Sequence, residues 1–284
     1  MISSLLLPLT EELPSAAARD FAFWFGRTMG CHIQALAVVD VKAFEVPVIG
    51  APDGFMPAVV TPPLPEGRNI LDELTAAAGE RLDRFARECA AAGVSCATDV
   101  RTGVPWESVA REAVAHDLVV MGRTGYTASA AVRQQVDPLV RQVLRGCVRP
   151  VLVAGKEFPA AGIRNLMVAY DGSAHAARAL PIAALIGARP GIQCALVNVA
   201  ASQEAGAEVL EPAEAYLYHH GLSPKRQVIV AGRPSEAICD LAAAQSADIL
   251  VMGAYGHSPI REVLFGSTTE YVLRQCGCTV ILQA

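Results

Sequence analysis

Several things are missing from this 284-residue sequence, and each absence closes off a class of protein. Charge is sparse. Only 18% of residues are Asp, Glu, Lys or Arg while 52% are hydrophobic, a balance that supplies a buried core and excludes a disordered chain. An excess of cations is also lacking: 23 Lys and Arg stand against 28 Asp and Glu, a net charge of −5, with no basic stripe. That excludes an extended nucleic-acid surface. No apolar run reaches the roughly 18 residues that span a bilayer. The N-terminal stretch Met1-Ile-Ser-Ser-Leu-Leu-Leu-Pro-Leu-Thr10 has no basic n-region and meets Pro8 and the pair Glu11-Glu12 at once, so the expected location is cytoplasmic. A disulfide framework is not indicated either. The eight cysteines lie mostly inside apolar segments and read as reduced core residues, with Cys276-Gly-Cys278 the one pairing of note. His219-His220 lies in a different crossover from those two thiols, so four converging zinc ligands are not in sight and no metal site is expected. The patterns of a P-loop, a nucleophile elbow and a Ser–His–Asp order are absent, and no catalytic residue is assigned.

What is present is a repeat. Asp117-Leu-Val-Val-Met-Gly-Arg-Thr-Gly-Tyr126 and Asp248-Ile-Leu-Val-Met-Gly-Ala-Tyr-Gly-His257 are near copies 131 positions apart. Gly103-Val-Pro-Trp-Glu107 matches Gly232-Arg-Pro-Ser-Glu236, and Val143-Leu-Arg-Gly-Cys147 matches Val272-Leu-Arg-Gln-Cys276, both at an offset of 129. The changing offset is that of two diverged copies with small insertions. Two domains follow, over residues 1–156 and 162–284. In each, apolar runs such as Ile249-Leu-Val-Met252 alternate with helix-patterned segments, which predicts a doubly wound α/β domain with a parallel five-stranded sheet covered on both faces. In the second copy the pattern predicts strands at 163–170, 193–199, 225–231, from 249 and at 279–282. Helices are predicted at 174–186, around 212–220, at 234–245 and from 267. The first copy carries an insertion over 42–66, with Pro47, Pro52, Pro57, Pro62, Pro63 and Pro65, that reads as a lid, an interface arm or a plain surface loop.

The stretch Val251-Met-Gly-Ala-Tyr-Gly-His-Ser-Pro-Ile-Arg-Glu-Val-Leu-Phe-Gly-Ser-Thr268 carries the chemistry. It leaves a buried strand and delivers Gly253, Gly256 and Gly266, then Ser267 and Thr268, ahead of a helix. Glycines let backbone approach a ligand, and helix N-terminal N–H groups beside hydroxyls suit an anion, with phosphate the obvious candidate. Asp171-Gly172-Ser173 follows the first strand of the same domain. Asp171 and Ser267 are also favoured N-cap types, so capping alone would explain each singly, though not the glycine spacing. His257 reads equally as a solvated loop residue, and His175 as a first-turn helix residue.

The spacing G-x-x-G, nine residues, G-[ST] at Gly253, Gly256, Gly266 and Ser267, together with Asp171, resembles the universal stress protein family in its tandem form. The resemblance covers nearly all of both copies. It implies a Rossmann-like fold related to adenine nucleotide alpha hydrolases, with ATP across the C-terminal ends of the strands, or else ADP or AMP, and with Mg allowed beside the phosphates. Carried over, Ala169, Asp171, Gly172 and Ser173 would line the adenine and ribose, Val199 and Met252 would meet the base, and Gly253 would admit the ribose. Gly256, Gly266, Ser267 and Thr268 would cradle phosphate. Family members often have Arg after the second glycine; here that position is His257, with Arg261 further along as a substitute.

The first copy departs from the pattern. Gly122 and Gly125 remain, but nine residues later stand Gln135 and Val136, and the better block alignment, with a two-residue insertion, puts Asp137 and Pro138 at Gly266 and Ser267. A carboxylate repels phosphate and proline has no N–H to donate, so the first domain is expected not to bind ATP in the family manner. The chain thus reads as a nucleotide-dependent stress-response sensor whose two copies pack as an internal pseudo-dimer through their last strands, with a homodimer left open. An interaction or scaffold protein of the same fold, and a weak ATPase, stand beside that reading.

Overall fold

The computed structural model describes residues 1–9, 15–40, 70–123, 136–230, 232–255 and 266–284. The insertion over 42–66 lies outside the described residues, and so do Gly125, Gly256, His257 and Arg261. The N-terminal half runs β1 (Ser4–Leu9), α1 (Ala16–Met29), β2 (His32–Asp40), α2 (Ile70–Ala91), β3 (Cys96–Gly103), α3 (Pro105–Ala113), β4 (Leu118–Gly122), α4 (Pro138–Gly146) and β5 (Val151–Ala154). The C-terminal half repeats it as β6 (Asn165–Ala169), α5 (Ala174–Gly187), β7 (Gln193–Ala200), α6 (Gln203–His219), β8 (Lys225–Val230), α7 (Pro234–Ala244), β9 (Ile249–Gly253), α8 (Ser267–Gln275) and β10 (Thr279–Gln283).

Within each half the strands are parallel, in the orders β3-β2-β1-β4-β5 and β10-β9-β6-β7-β8. The two five-stranded units join where β5 and β10 pair antiparallel, Leu152 opposite Ile281, giving one ten-stranded sheet. The two last strands therefore sit at its centre. Strands buried on both faces need apolar residues at every position, which is why Leu118-Val-Val-Met121 and Ile249-Leu-Val-Met252 show no alternation. One core layer lies under α1, α2, α5 and α6 and contains Phe21, Phe25 and Phe85; the other lies under α3, α4, α7 and α8.

The repeat is visible atom by atom. Asp117 Oδ2 accepts the N–H groups of Ser3 and Ser4, and Asp248 Oδ2 accepts those of Arg164 and Asn165. Each carboxylate ties the turn before the fourth strand of its half to the start of the first strand.

One helix starts earlier than the sequence pattern indicates. The segment around 212–220 belongs to α6, which begins at Gln203, capped by the Ser202 hydroxyl accepting from Ala205 N. Pro212 looks like a start signal but sits inside the helix with its ring on the exposed side, where the carbonyl that loses its partner can meet water. Gly206, Leu210, Ala213 and Leu217, at spacings of a helical face, hold the buried side.

Candidate functional site

In the C-terminal half the chain leaves β6 toward β7 on one side, while β9 comes to lie on the other. In open α/β sheets the point where strand order reverses is where a ligand crevice opens beyond the strand ends, and here that point falls between β6 and β9. Ala169 is in register with Met252 on β9 and with Val197 on β7, so Ala169, Met252 and the end of β7 form its floor. Val199 is two residues further along β7, half-buried. The structure thus brings together Ala169, Asp171, Gly172, Ser173, Val199, Met252 and Gly253 at one end of the sheet, with Gly266, Ser267 and Thr268 opening the next helix.

The loop after β6 is rigidly made. Asp171 Oδ1 accepts the N–H of Ser173 at 2.9 Å, Gly172 takes a left-handed φ of 81°, and Ser173 caps α5 by accepting from Ala176 N at 3.2 Å. The cap is therefore Ser173 and not Asp171, which stays exposed at the crevice mouth. Because the Ser173 hydroxyl is buried and occupied in capping, what this residue shapes is the loop.

Gly253 has a structural reason that sequence reasoning missed. A Cβ there would fall 2.6 Å from the backbone nitrogen of Ala176 and 2.8 Å from the carbonyl carbon of His175, so the first turn of α5 lies flat against the end of β9. Gly266 is different. Its φ of −53° suits any residue, and among the described residues an added Cβ would find nothing nearer than Thr269 Oγ1 at 3.8 Å. Nothing in the described fold demands glycine at this position.

Gly266 is the N-cap of α8 and offers no side-chain bond, and Ser267 is the first helical residue instead of the cap. Among the described residues the first-turn N–H groups thus lack the usual side-chain acceptor. Thr269, buried, donates its hydroxyl to Ala254 O at 2.7 Å and fixes this end of α8 to the end of β9. The acid in the first turn, Glu270, would oppose an incoming anion, but it pairs with Arg141 of the N-terminal half at 2.7 Å and with Arg274 at 2.9 Å.

The equivalent helix in the N-terminal half is closed. α4, like α8, is nine residues long; its N-cap Asp137 accepts the N–H of Leu139 at 2.8 Å, and Pro138 fills the first helical position. The pairing of Asp137 with Gly266 and of Pro138 with Ser267 is therefore the structural one. A carboxylate already occupies the place that an anion would take.

Two further groups at the C-terminal crevice, Tyr255 and Asn198, went unread in the sequence, and a third, His175, was read only as a first-turn helix residue. His175 packs edge-on to Tyr255 with ring centroids 5.3 Å apart, and its Nδ1 is buried without a hydrogen-bond partner among the described residues. Asn198, buried beside Val199, donates from Nδ2 to Tyr170 O at 2.8 Å, while its Oδ1 finds no partner among the described residues. Aromatic and amide residues carry no spacing signal, so only the fold reveals them.

Fold and crevice define a doubly wound α/β protein with one open and one closed helix terminus at equivalent places. Residues 162–282, the stretch that carries the crevice, match the model of the universal stress protein family. Universal stress protein Slr1230 of Synechocystis is 30% identical over 167 residues, 58% of this chain, which spans 57% of that relative's length. A universal stress protein of Thermus aquaticus is 29% identical over 133 residues, covering 42% of this chain and 97% of its own. The whole architecture, both halves included, is found in the crystal structure of a universal stress protein from Archaeoglobus fulgidus, with a TM-score of 0.72, 21% identity and coverage of 99% of this chain and 95% of that one. Among the described residues no helix is long and apolar enough to cross a membrane.

Proposed function

We propose that the C-terminal half binds one adenine nucleotide, ATP or its di- or monophosphate, in the crevice between β6 and β9, and that the N-terminal half binds none. The base lies near Ala169, Val199 and Met252, Asp171 faces the ribose or adenine, and Gly256, Gly266, Ser267 and Thr268 take the phosphates, with His257 at the outer end and Mg accompanying them. The observation that carries this reading is the contrast between two equivalent helix ends. In α4 the position is filled by the Asp137 carboxylate and by Pro138, whereas in α8 it is left to Gly266 without a side-chain cap. Backbone N–H groups at a helix N-terminus, with hydroxyls beside them, favour phosphate. The glycine that the fold does not require is explained by a ligand that comes close to its backbone.

The groups at this crevice are donors and hydroxyls suited to holding a nucleotide, which favours a nucleotide-dependent regulator in a stress response over an efficient enzyme. The test is to write the closed end into the open one. The double variant Gly266→Asp, Ser267→Pro reproduces a capping pair that this same chain uses on a nine-residue helix, so the fold is retained. Calorimetric titration with ATP should show affinity falling by at least about tenfold, the loss of one charge-assisted hydrogen bond. Unchanged affinity would overturn the assignment.

A further inference from the structure

The C-terminal half has a second concavity, at the end of the sheet away from the crevice. A cavity of about 650 Å³ lies where β6, β7 and β8 begin. Met167, Ala195 and Lys225 stand opposite one another on the three strands, so their side chains share one face. All three line the cavity. Gln227, two residues along β8 from Lys225 and on the same face, lines it too, with Gln245 and Ala247 from the turn after α7.

The N-terminal half fills the equivalent place. Asp117 and Asp248 make the same bonds to the starts of β1 and β6, which sets His116 against Ala247 and Ser4 against Asn165. The row across the strands that matches Met167, Ala195 and Lys225 is then Leu6, Gln34 and Ala97. His116 is buried, its Nδ1 3.2 Å from Ser4 Oγ. Two alanines thus stand in the C-terminal half where the other half has a glutamine and an imidazole, and a lysine stands where the other has an alanine. The half with less side-chain volume here carries the cation.

We propose that this cavity binds a small organic carboxylate with an apolar body, its carboxylate at Lys225 and Gln227 and its body over Met167, Ala195 and Ala247. Lys225 forms no ion pair among the described residues, and no carboxylate among them lines the cavity. Gln227 Oε1 accepts from Gln245 Nε2 at 2.6 Å, which orients the amide and leaves its own N–H donors without a partner among the described residues. A cation and an amide donor on one strand face are open together, and a carboxylate has two oxygens to meet them. A multiply charged anion such as phosphate suits the place less well. Helices α5, α6 and α7 all end at this side of the sheet, and the negative ends of their dipoles oppose added negative charge. The volume falls in the range of about 300–1,000 Å³ in which apolar surface holds a ligand's body and a few polar groups fix its orientation. None of the residues proposed for the nucleotide lines this cavity, so the two sites stand or fall separately.

Octanoate is the probe, with octanol as its neutral match, each titrated into the full-length protein and followed by the NMR shifts of backbone amides. Octanoate should saturate one site, with shifts clustered at Met167, Ala195 and Gln227. Octanol should bind at least about tenfold more weakly, the loss of one charge-assisted hydrogen bond. Lys225→Ala removes an exposed side chain at a strand start and should weaken octanoate by the same factor while leaving octanol unchanged. Ala247→His writes in the residue of the filled half and should weaken both ligands. No octanoate binding by the wild type at millimolar concentration, or undiminished octanoate binding in either variant, would overturn the proposal.

Discussion

At the scale of single residues, two glycines of one motif do different work. Gly253 is required by packing, because the backbone of His175 and Ala176 occupies the place of its Cβ. Among the described residues, neither the packing around Gly266 nor its backbone angles require glycine. Gly253→Ala should therefore destabilise the protein by about 1–3 kcal/mol, the range for forcing atoms into a filled space, visible as a lower midpoint in urea. Gly266→Ala should leave that midpoint within about 0.5 kcal/mol while weakening ATP binding. Equal losses of stability would show that both glycines serve the fold alone. The spacing of this motif was legible in the sequence, but the division of labour was not, since the atoms that crowd Gly253 come from residues 77 and 78 positions away. Asp137 and Pro138 were legible because the chain carries its own reference copy. Thr269, His175, Tyr255 and Asn198 were not, because no spacing distinguishes them from core or surface residues.

At the scale of elements, α8 is held at both ends by groups from elsewhere. Thr269 fastens its first turn to Ala254, and Arg123 binds the carbonyls at its last, where a cation also suits the helix dipole. Burial lowers the pKa of this guanidinium, and the two carbonyls offset that desolvation. Arg123→Met should cost about 3 kcal/mol, since two hydrogen bonds to a charged group are lost at once, and a urea titration would measure it. A cost below about 0.5 kcal/mol would show that α8 does not depend on the other half. The strand and helix order was readable from apolar runs and caps, with ends displaced by a residue or two. Only α6 was misplaced in substance, because a proline was read as a beginning when its ring faces solvent inside a longer helix. The Arg123 contact could not be foreseen, its partners being 153 and 155 residues away in the other half.

At the scale of the whole molecule, the two halves have diverged into complementary partners. Arg141 on α4 and Glu270 on α8 occupy equivalent positions and form an ion pair across the junction. Two identical copies would place like charges there. Pairing β5 with β10 removes two edges from solvent and leaves β3 and β8 as the outer strands, where Arg101 and Lys225 provide charges of the kind that discourages edge association. Asymmetry has reached the crevice proposed for the nucleotide as well, with one helix end closed by its own carboxylate and the other without a side-chain cap among the described residues. The most direct measurement is the stoichiometry of ATP on the intact chain by native mass spectrometry, for the wild type and for Gly266→Asp, Ser267→Pro. One nucleotide on the wild type and none on the variant is the expected result; two nucleotides on the wild type, or one retained by the variant, would contradict it.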